Sequence, residues 1–90
     1  MRKGMKEVNF AKIMVPDING TERAVDFRKD LGNLLYMQGN SIEECELGSA
    51  IYHQLDNEPL QLTDMQRIML RQFVIRLPYV SRKAIQKALE

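Results

Sequence analysis

The sequence has few of the residues that stabilise small proteins through covalent or metal bonds. Its 90 residues include one cysteine and one histidine, too few for an internal disulfide or a closed zinc site. The longest apolar run is four residues, Leu34 to Met37, whereas a membrane-spanning helix needs about 20. The charged first residues lead into no apolar segment, so no signal peptide is predicted. We therefore expect a cytoplasmic protein without a membrane span.

The remaining composition is typical of one folded domain. Hydrophobic residues make up 44% and charged residues 28%, with three prolines and five glycines, which argues against disorder of the whole chain. We predict an α+β fold in which an N-terminal β-hairpin precedes about four helices packed as a small bundle. The predicted parts are a flexible tail over 1–6, a hairpin over 7–26 and a helical part over 27–90.

The hairpin prediction depends on an apolar stretch from Val8 to Val15 that has apolar residues on both faces of a strand. Two turns compete at Asp17–Gly20. A two-residue loop at Asn19-Gly20 would set Asp17 opposite Glu22, a like-charge pair that a sheet disfavours. A type I turn with a bulge at Gly20 avoids this pair and is preferred. The return strand is predicted from Thr21 to about Val25.

Polar residues mark the predicted start of each helix: Asp26, Ser41 with Glu44, Thr63 with Gln66, and Ser81. The first three helices are predicted to end at Gly39 with positive φ, at about Leu55 and at about Arg76. Gly32 inside the first helix either weakens it or lets another backbone pack closely.

The third helix is apolar around most of its circumference, which predicts that it lies at the centre of the fold or is shared with a partner. The residues expected to be most buried are Leu34, Ile51, Met69, Phe73 and Ile85.

No set of catalytic residues is found. Cys45 and His53 are eight residues apart on one predicted helix, about 12 Å along its axis, whereas a nucleophile and its base must approach to about 3 Å. The acidic cluster has a structural explanation in helix capping and no phosphate-binding loop beside it: Glu43, Glu44, Glu46, Asp56 and Glu58. We expect no catalytic, cofactor-binding or metal-binding residue and no enzyme activity.

Charge is distributed unevenly along the chain. Residues 61–90 contain six Lys or Arg and two Asp or Glu, although the whole chain is only +1. Five basic residues surround the junction of the last two helices: Arg71, Arg76, Arg82, Lys83 and Lys87. Two helices joined by a short turn with a basic second helix are typical of helix-turn-helix DNA-binding modules, so nucleic-acid contact through these residues is the alternative prediction.

Four segments resemble small uncharacterised proteins encoded by phages and prophages: 8–13, 17–20, 31–35 and the amphipathic C-terminal helix pair. Such proteins begin with a short hairpin and continue with helices. The resemblance implies an accessory protein of a phage or mobile element, and it assigns no functional residue.

The absence of a catalytic set, the apolar third helix and a hairpin without other strands favour a non-catalytic protein-interaction or self-assembling protein. A two-stranded hairpin offers unpaired backbone groups at its edge. We therefore expect a homo-oligomer formed through the hairpin edge, with Pro16 ending the pairing.

Overall fold

The structure, a computed structural model, describes residues 5–90. Its elements are β1 (Met5–Val8), β2 (Ile13–Pro16), β3 (Glu22–Val25), α1 (Arg28–Gln38), α2 (Ile42–Tyr52), β4 (Leu60–Thr63), α3 (Asp64–Val74) and α4 (Tyr79–Leu89). Two antiparallel pairs form, β2 with β3 and β1 with β4. The predicted α+β fold, an N-terminal hairpin followed by four helices, is confirmed.

The prediction of one strand from Val8 to Val15 is wrong, because the chain turns at Asn9. The Asn9 side chain accepts a hydrogen bond from the Ala11 amide at 3.0 Å, and the Asn9 carbonyl accepts one from Lys12 at 3.1 Å. The part before the turn, β1, pairs with β4, and the part after it, β2, pairs with β3. Val8, Phe10 and Ile13 are all buried within the chain, which explains apolar residues on both predicted faces.

The strand β1 pairs with β4, a strand that is not predicted from the sequence. Its register sets Met5 opposite Thr63 and Val8 opposite Leu60. Met5 and Lys6 therefore belong to a sheet and not to the tail predicted over 1–6. The rest of that predicted tail, residues 1–4, lies outside the described residues.

The preferred hairpin turn is confirmed by its hydrogen bonds. The Gly20 amide donates to the Asp17 carbonyl at 3.0 Å, and the Asp17 amide donates to Thr21 at 2.9 Å. Gly20 has φ +84°, the left-handed region that glycine adopts without a steric penalty. Pro16, not Asp17, lies opposite Glu22, so the like-charge pair of the competing turn does not form.

Two of the predicted helix caps are confirmed. The Ser41 hydroxyl accepts from the Glu44 amide at the start of α2. Thr63 and Gln66 form a reciprocal capping box at the start of α3. Each cap depends only on residues within one helical turn.

Other predicted helix ends are wrong. α1 begins after Phe27, although the Asp26 carboxylate still accepts a hydrogen bond from the Arg28 amide at 2.9 Å. α4 begins directly after Pro78, so Ser81 lies inside the helix and caps nothing. Gly39 follows α1 with φ −68°, not with positive φ. The second and third helices also end earlier than predicted, at Tyr52 and Val74.

Helices α1 and α2 pack closely where Gly32 faces Gly48. A Cβ atom added to Gly32 would lie 2.8 Å from the Gly48 carbonyl oxygen, and one added to Gly48 would lie 2.7 Å from the Gly32 carbonyl oxygen. Neither residue therefore has room for a side chain. Of the two roles considered for Gly32, close backbone packing is confirmed.

The core joins both strand pairs to all four helices. Its buried apolar members are Val8, Phe10, Ile13, Phe27, Leu31, Leu35, Leu47, Ile51, Leu62, Leu70, Phe73, Val74, Ala84, Ile85 and Leu89. Phe73, Ile51 and Ile85 are buried as predicted. Leu34 and Met69 are only partly buried and pack against this cluster, so the prediction is wrong for these two.

A buried glutamine joins the turn after β1 to the segment after α2. The Gln54 side chain accepts a hydrogen bond from the Phe10 amide at 3.0 Å and donates to the Asn9 side chain at 2.7 Å. Its backbone carbonyl accepts from Arg28 at 2.7 Å. Arg28 also forms ion pairs with Asp26 and Asp56, each at 2.7 Å. Polar contacts therefore join the N-terminal end of α1, the turn after β1 and the segment after α2.

Candidate functional site

Helix α3 has an apolar face that the rest of the chain leaves exposed. Its inward face buries Leu70, Phe73 and Val74. On the outward face, Met65 is 66%, Ile68 47% and Ile75 58% exposed. We call these three residues, with the exposed Gln72 between them, the α3 stripe. The prediction that this helix lies at the centre of the fold is wrong, whereas the alternative, that it is shared with a partner, stays a prediction.

An acidic cleft borders the α3 stripe. This cleft, of about 290 Å³ between α2 and α3, is lined by Glu43 and Glu46 together with Met65 and Met69. Asp64, the first residue of α3, forms an ion pair with Arg67 within the chain.

The C-terminal end of the stripe is basic. Arg71 lies exposed in the last turn of α3. Arg76 follows the helix, hydrogen-bonds the Gln38 side chain and stacks 4.9 Å from the centre of the Phe73 ring. We call Arg71 and Arg76 the basic end. Within residues 5–90, neither arginine forms an ion pair, and neither do Glu43 and Glu46.

The hairpin has one covered edge and one open edge. α4 packs beside β2, whereas every residue of β3 is exposed. The Thr21 carbonyl accepts a hydrogen bond from Asp17 across the hairpin, so its backbone faces β2. In an antiparallel pair, every second residue faces the partner strand, so the backbone N–H and C=O of Arg23 also face β2. The same alternation directs those of Glu22 and Ala24 to the open edge.

Charges at this edge oppose symmetric pairing of two β3 strands. With a two-fold axis at Arg23, the Arg23 side chains of the two copies would lie opposite each other. An axis at Glu22 would likewise set the two Glu22 side chains opposite each other. An axis through Ala24 would set Glu22 opposite Asp26. Like charges directly opposite one another destabilise a strand pair, and charged edges of this kind limit edge-to-edge association.

The five basic residues predicted to contact nucleic acid do not share one surface cleft. Lys83 and Lys87 line a cleft of about 460 Å³ between α4 and the hairpin. Arg82 stacks 5.3 Å from the centre of the Tyr79 ring. Arg71 and Arg76 line no part of this cleft and lie at the basic end of the α3 stripe.

Two further lysines lie near Lys87 and were missed by sequence reasoning. Lys6 and Lys12 line a second cleft of about 380 Å³ with Lys87, together with the acidic Glu7 and Glu22. Lys6 belongs to β1 and Lys12 to the turn before β2. Only the fold brings them near α4, so no local sequence pattern contained this signal. The mixed charges make the cleft less favourable for a phosphate backbone than a uniformly basic one.

The cysteine and the histidine each have a structural partner. The Cys45 thiol donates to the Tyr36 carbonyl at 3.6 Å. His53 follows α2 as its C-cap, and its Nδ1 lies 2.9 Å from the Ser49 carbonyl oxygen. Because a carbonyl oxygen only accepts, this contact requires a proton on Nδ1. The Ser49 hydroxyl, 3.5 Å away, therefore faces a nitrogen that cannot take its proton.

The acidic residues also serve the fold. Glu44 accepts a hydrogen bond from the Asn40 amide before α2, and Asp56 pairs with Arg28. Among residues 5–90, no group of three or more His, Cys, Asp or Glu side chains is placed to hold a metal ion. The arrangement of these side chains supports helix ends and loops.

No helix in the described part of the chain is long and apolar enough to cross a bilayer. Comparison with protein-family models, with curated proteins and with solved structures finds no match to this chain.

Proposed function

We propose that the chain is a non-catalytic, cytoplasmic protein that acts by binding another protein chain, with self-assembly as one form of this activity. The observation that carries the proposal is the exposed α3 stripe. The resemblance to small phage and prophage proteins adds the proposal that it is an accessory protein of a mobile element.

Single exposed apolar side chains are common on folded proteins and need no partner. The α3 stripe differs because Met65 and Ile68 lie on one face of the 11-residue helix and Ile75, its C-cap in the right-handed helical region, continues that face. Exposed apolar side chains grouped on one face are typical of protein-binding sites. Methionine in such a surface adapts its shape to a partner.

Photo-crosslinking tests this proposal. A photoreactive amino acid replaces Gln72, at the middle of the α3 stripe, and the cells that produce the variant are irradiated. The same amino acid at Ile18, which is 99% exposed in the hairpin turn, serves as the control. We expect a crosslinked species of discrete mass from position 72 and none from position 18. Equal yields from both positions would refute the proposal.

The hairpin-edge pairing expected from the sequence, there assigned to the strand that ends at Pro16, is a second proposed contact. The open backbone edge of β3 favours it, whereas the like charges described above oppose its symmetric form. Ala24→Pro removes an amide that faces the open edge, whereas Arg23→Pro removes one that faces β2. If the edge carries association, Ala24→Pro should weaken self-association while the fold survives, and Arg23→Pro should disrupt the hairpin. Unchanged sedimentation of Ala24→Pro would exclude the edge.

Nucleic-acid binding is the second candidate, favoured by Lys6 and Lys12 beside Lys87 and opposed by Glu7 and Glu22 in the same cleft. Binding of this kind should weaken steeply with salt, since each phosphate contact releases counterions. In fluorescence anisotropy, Lys83→Ala and Lys87→Ala should each reduce the salt slope by about 1. If neither duplex nor single strands bind at low salt, this candidate is excluded.

A further inference from the structure

We propose that Asn19 is a site of spontaneous deamidation, in which the Gly20 backbone nitrogen attacks the Asn19 side chain and a carboxylate replaces the amide. The substrate is the chain itself, and water is the co-reactant. The site belongs to the hairpin turn and does not depend on the protein-binding function proposed above. Its basis is the sequence Asn19-Gly20 in an exposed turn.

The reaction exchanges ammonia for water. The Gly20 amide nitrogen loses its proton and bonds to the side-chain carbonyl carbon of Asn19, and the Asn19 side-chain nitrogen takes up a proton and leaves as ammonia. The product is a five-membered succinimide ring. Water then adds to one of the two ring carbonyl carbons and opens the ring to aspartate or isoaspartate. No oxidation or reduction occurs, and the chain gains one negative charge, which changes its local electrostatics.

Both reacting groups are accessible in the folded chain. Asn19 and Gly20 are exposed, and within residues 5–90 the Asn19 side chain forms no hydrogen bond. Gly20 has no side chain to crowd its nitrogen, and a Cβ atom built there would meet nothing within 4 Å. Because the two groups are adjacent in the chain, the attack is unimolecular and requires no binding step.

The other asparagines are protected by hydrogen bonds or by the residue that follows them. Asn9 gives the sharpest contrast, because both of its reacting groups are bonded. Its side-chain nitrogen donates to the Asp56 carbonyl at 2.9 Å, and its side-chain oxygen accepts from Ala11. The Phe10 amide, which would attack, donates to Gln54 at 3.0 Å. The remaining three are followed by residues whose side chains crowd the attacking nitrogen: Asn33, Asn40 and Asn57.

Asp17 restrains the reaction from the start of the turn. Its carbonyl accepts a hydrogen bond from the Gly20 amide at 3.0 Å. Its carboxylate accepts from the Asn19 amide at 2.9 Å and from the Thr21 amide at 3.0 Å. The Gly20 nitrogen must leave its bond before it can reach the Asn19 side chain, so local opening of the turn precedes the attack. The rate of deamidation therefore depends on how often this turn opens.

The two products affect the hairpin differently. Aspartate at position 19 keeps the backbone and adds a carboxylate to a turn that already contains that of Asp17. Isoaspartate directs the main chain through the former side-chain Cβ atom, so the turn becomes one atom longer. We expect the longer turn to lose the hydrogen bond from the Asp17 amide to Thr21 that closes the hairpin.

Tryptic peptide mapping of the full chain tests the site. Cleavage after Lys12 and Arg23 releases peptide 13–23, whose single amide side chain is Asn19, and cleavage after Lys6 and Lys12 releases peptide 7–12, whose single amide side chain is Asn9. The folded chain is incubated for several days at body temperature and neutral pH, and a sample digested without incubation gives the background. We expect peptide 13–23 to show the mass change of NH₂ replaced by OH and peptide 7–12 to stay unchanged.

Asn19→Gln is the matched control, because its longer side chain cannot close a five-membered ring on Gly20. Its peptide 13–23 should remain unconverted under the same conditions. An unchanged wild-type peptide 13–23, or equal conversion of peptides 13–23 and 7–12, would overturn the proposal.

Asp17→Ala tests the restraint. This variant removes the carboxylate that holds two turn amides and should increase the rate of conversion severalfold. Glu22→Ala removes a carboxylate at the start of β3 but no hydrogen bond of the turn, so its rate should stay close to that of the wild type. Wild-type rates in both variants would overturn the role assigned to Asp17.

Amide hydrogen exchange of the separated products tests the effect on the hairpin. In the isoaspartyl form, isolated by chromatography, the Asp17 amide should exchange faster than in Asn19→Asp, which carries the same charge on an unchanged backbone. Equal exchange in the two forms would overturn the expected loss of the Asp17–Thr21 hydrogen bond.

Discussion

The contact between Gly32 and Gly48 predicts that alanine, normally the better helix former, destabilises this protein. In an open helix, Gly→Ala stabilises by about 1 kcal/mol. A Cβ atom on Gly48 would lie 2.7 Å from the Gly32 carbonyl oxygen and 2.8 Å from the Tyr36 amide nitrogen. Both neighbours are backbone atoms, so no side-chain rotation relieves the contact and the helices must separate.

Overpacking of this kind costs about 1–3 kcal/mol, and the middle of this range, about 2 kcal/mol, exceeds the gain of about 1 kcal/mol from helix propensity. We therefore expect Gly48→Ala to lower the free energy of unfolding by roughly 1 kcal/mol. In urea denaturation followed by circular dichroism, this corresponds to a midpoint lower by roughly 1 M. Asn33→Ala, at an exposed position of α1, is the matched control and should be neutral or slightly stabilising.

The double variant with Gly32→Ala should lose less stability than the sum of the two single losses. Once one added methyl group separates the helices, the second meets less resistance, and neighbouring sites of this kind are not additive. A Gly48→Ala variant that is as stable as the wild type, or more stable, would contradict the close packing of α1 on α2.

Three further predictions concern the core and the loops. Phe73→Ala should lower the free energy of unfolding by about 3–5 kcal/mol in urea denaturation, because it leaves a cavity beneath α3; a loss below about 1 kcal/mol would contradict the packing of that helix. Gln54→Ala should cost about 1–3 kcal/mol, since a buried amide loses its acceptor, and amide hydrogen exchange in the turn after β1 should accelerate; unchanged exchange there would contradict this role. Arg28 hydrogen-bonds the Asp26 carboxylate and lowers its pKa below 3.8, so the ion pair stabilises the fold above that pH and is lost as the pH falls through the lower native value. The stability difference between wild type and Asp26→Asn, measured by urea denaturation at a series of pH values, should therefore shrink on acidification; a constant difference would contradict the ion pair.

Features determined within one helical turn were predictable from the sequence. Ser41 caps α2 and Thr63 caps α3 because a side-chain oxygen reaches an amide three residues away. The start of α4 was not predicted, because Ser81 fits the N-cap pattern in the sequence as well as Ser41 and Thr63 do. The helix instead begins at Tyr79, directly after Pro78, whose ring fixes φ at −55°, a value compatible with the start of a helix.

Contacts between distant residues were not predictable in the same way. Leu60 and Leu62 alternate as in a strand, but nothing near them in the sequence identifies β1 as their partner. The candidate interaction surface was predictable only in part. The sequence indicates that α3 is apolar on most sides and that Phe73 is buried, whereas only the tertiary packing decides that Met69 is partly buried and Ile68 faces outward.

The pairing of β1 with β4 has a consequence for synthesis of the chain on the ribosome. Met5 emerges 58 residues (63 less 5) before its partner Thr63. The neighbouring helices α1 and α2 contact each other and can associate before α3 exists, because closing a short loop costs less entropy than closing a long one. Until β4 is released, Val8 lacks the strand that pairs with it through Leu60. The first strand is thus made early and completed late, and the nascent chain carries exposed apolar residues throughout that interval.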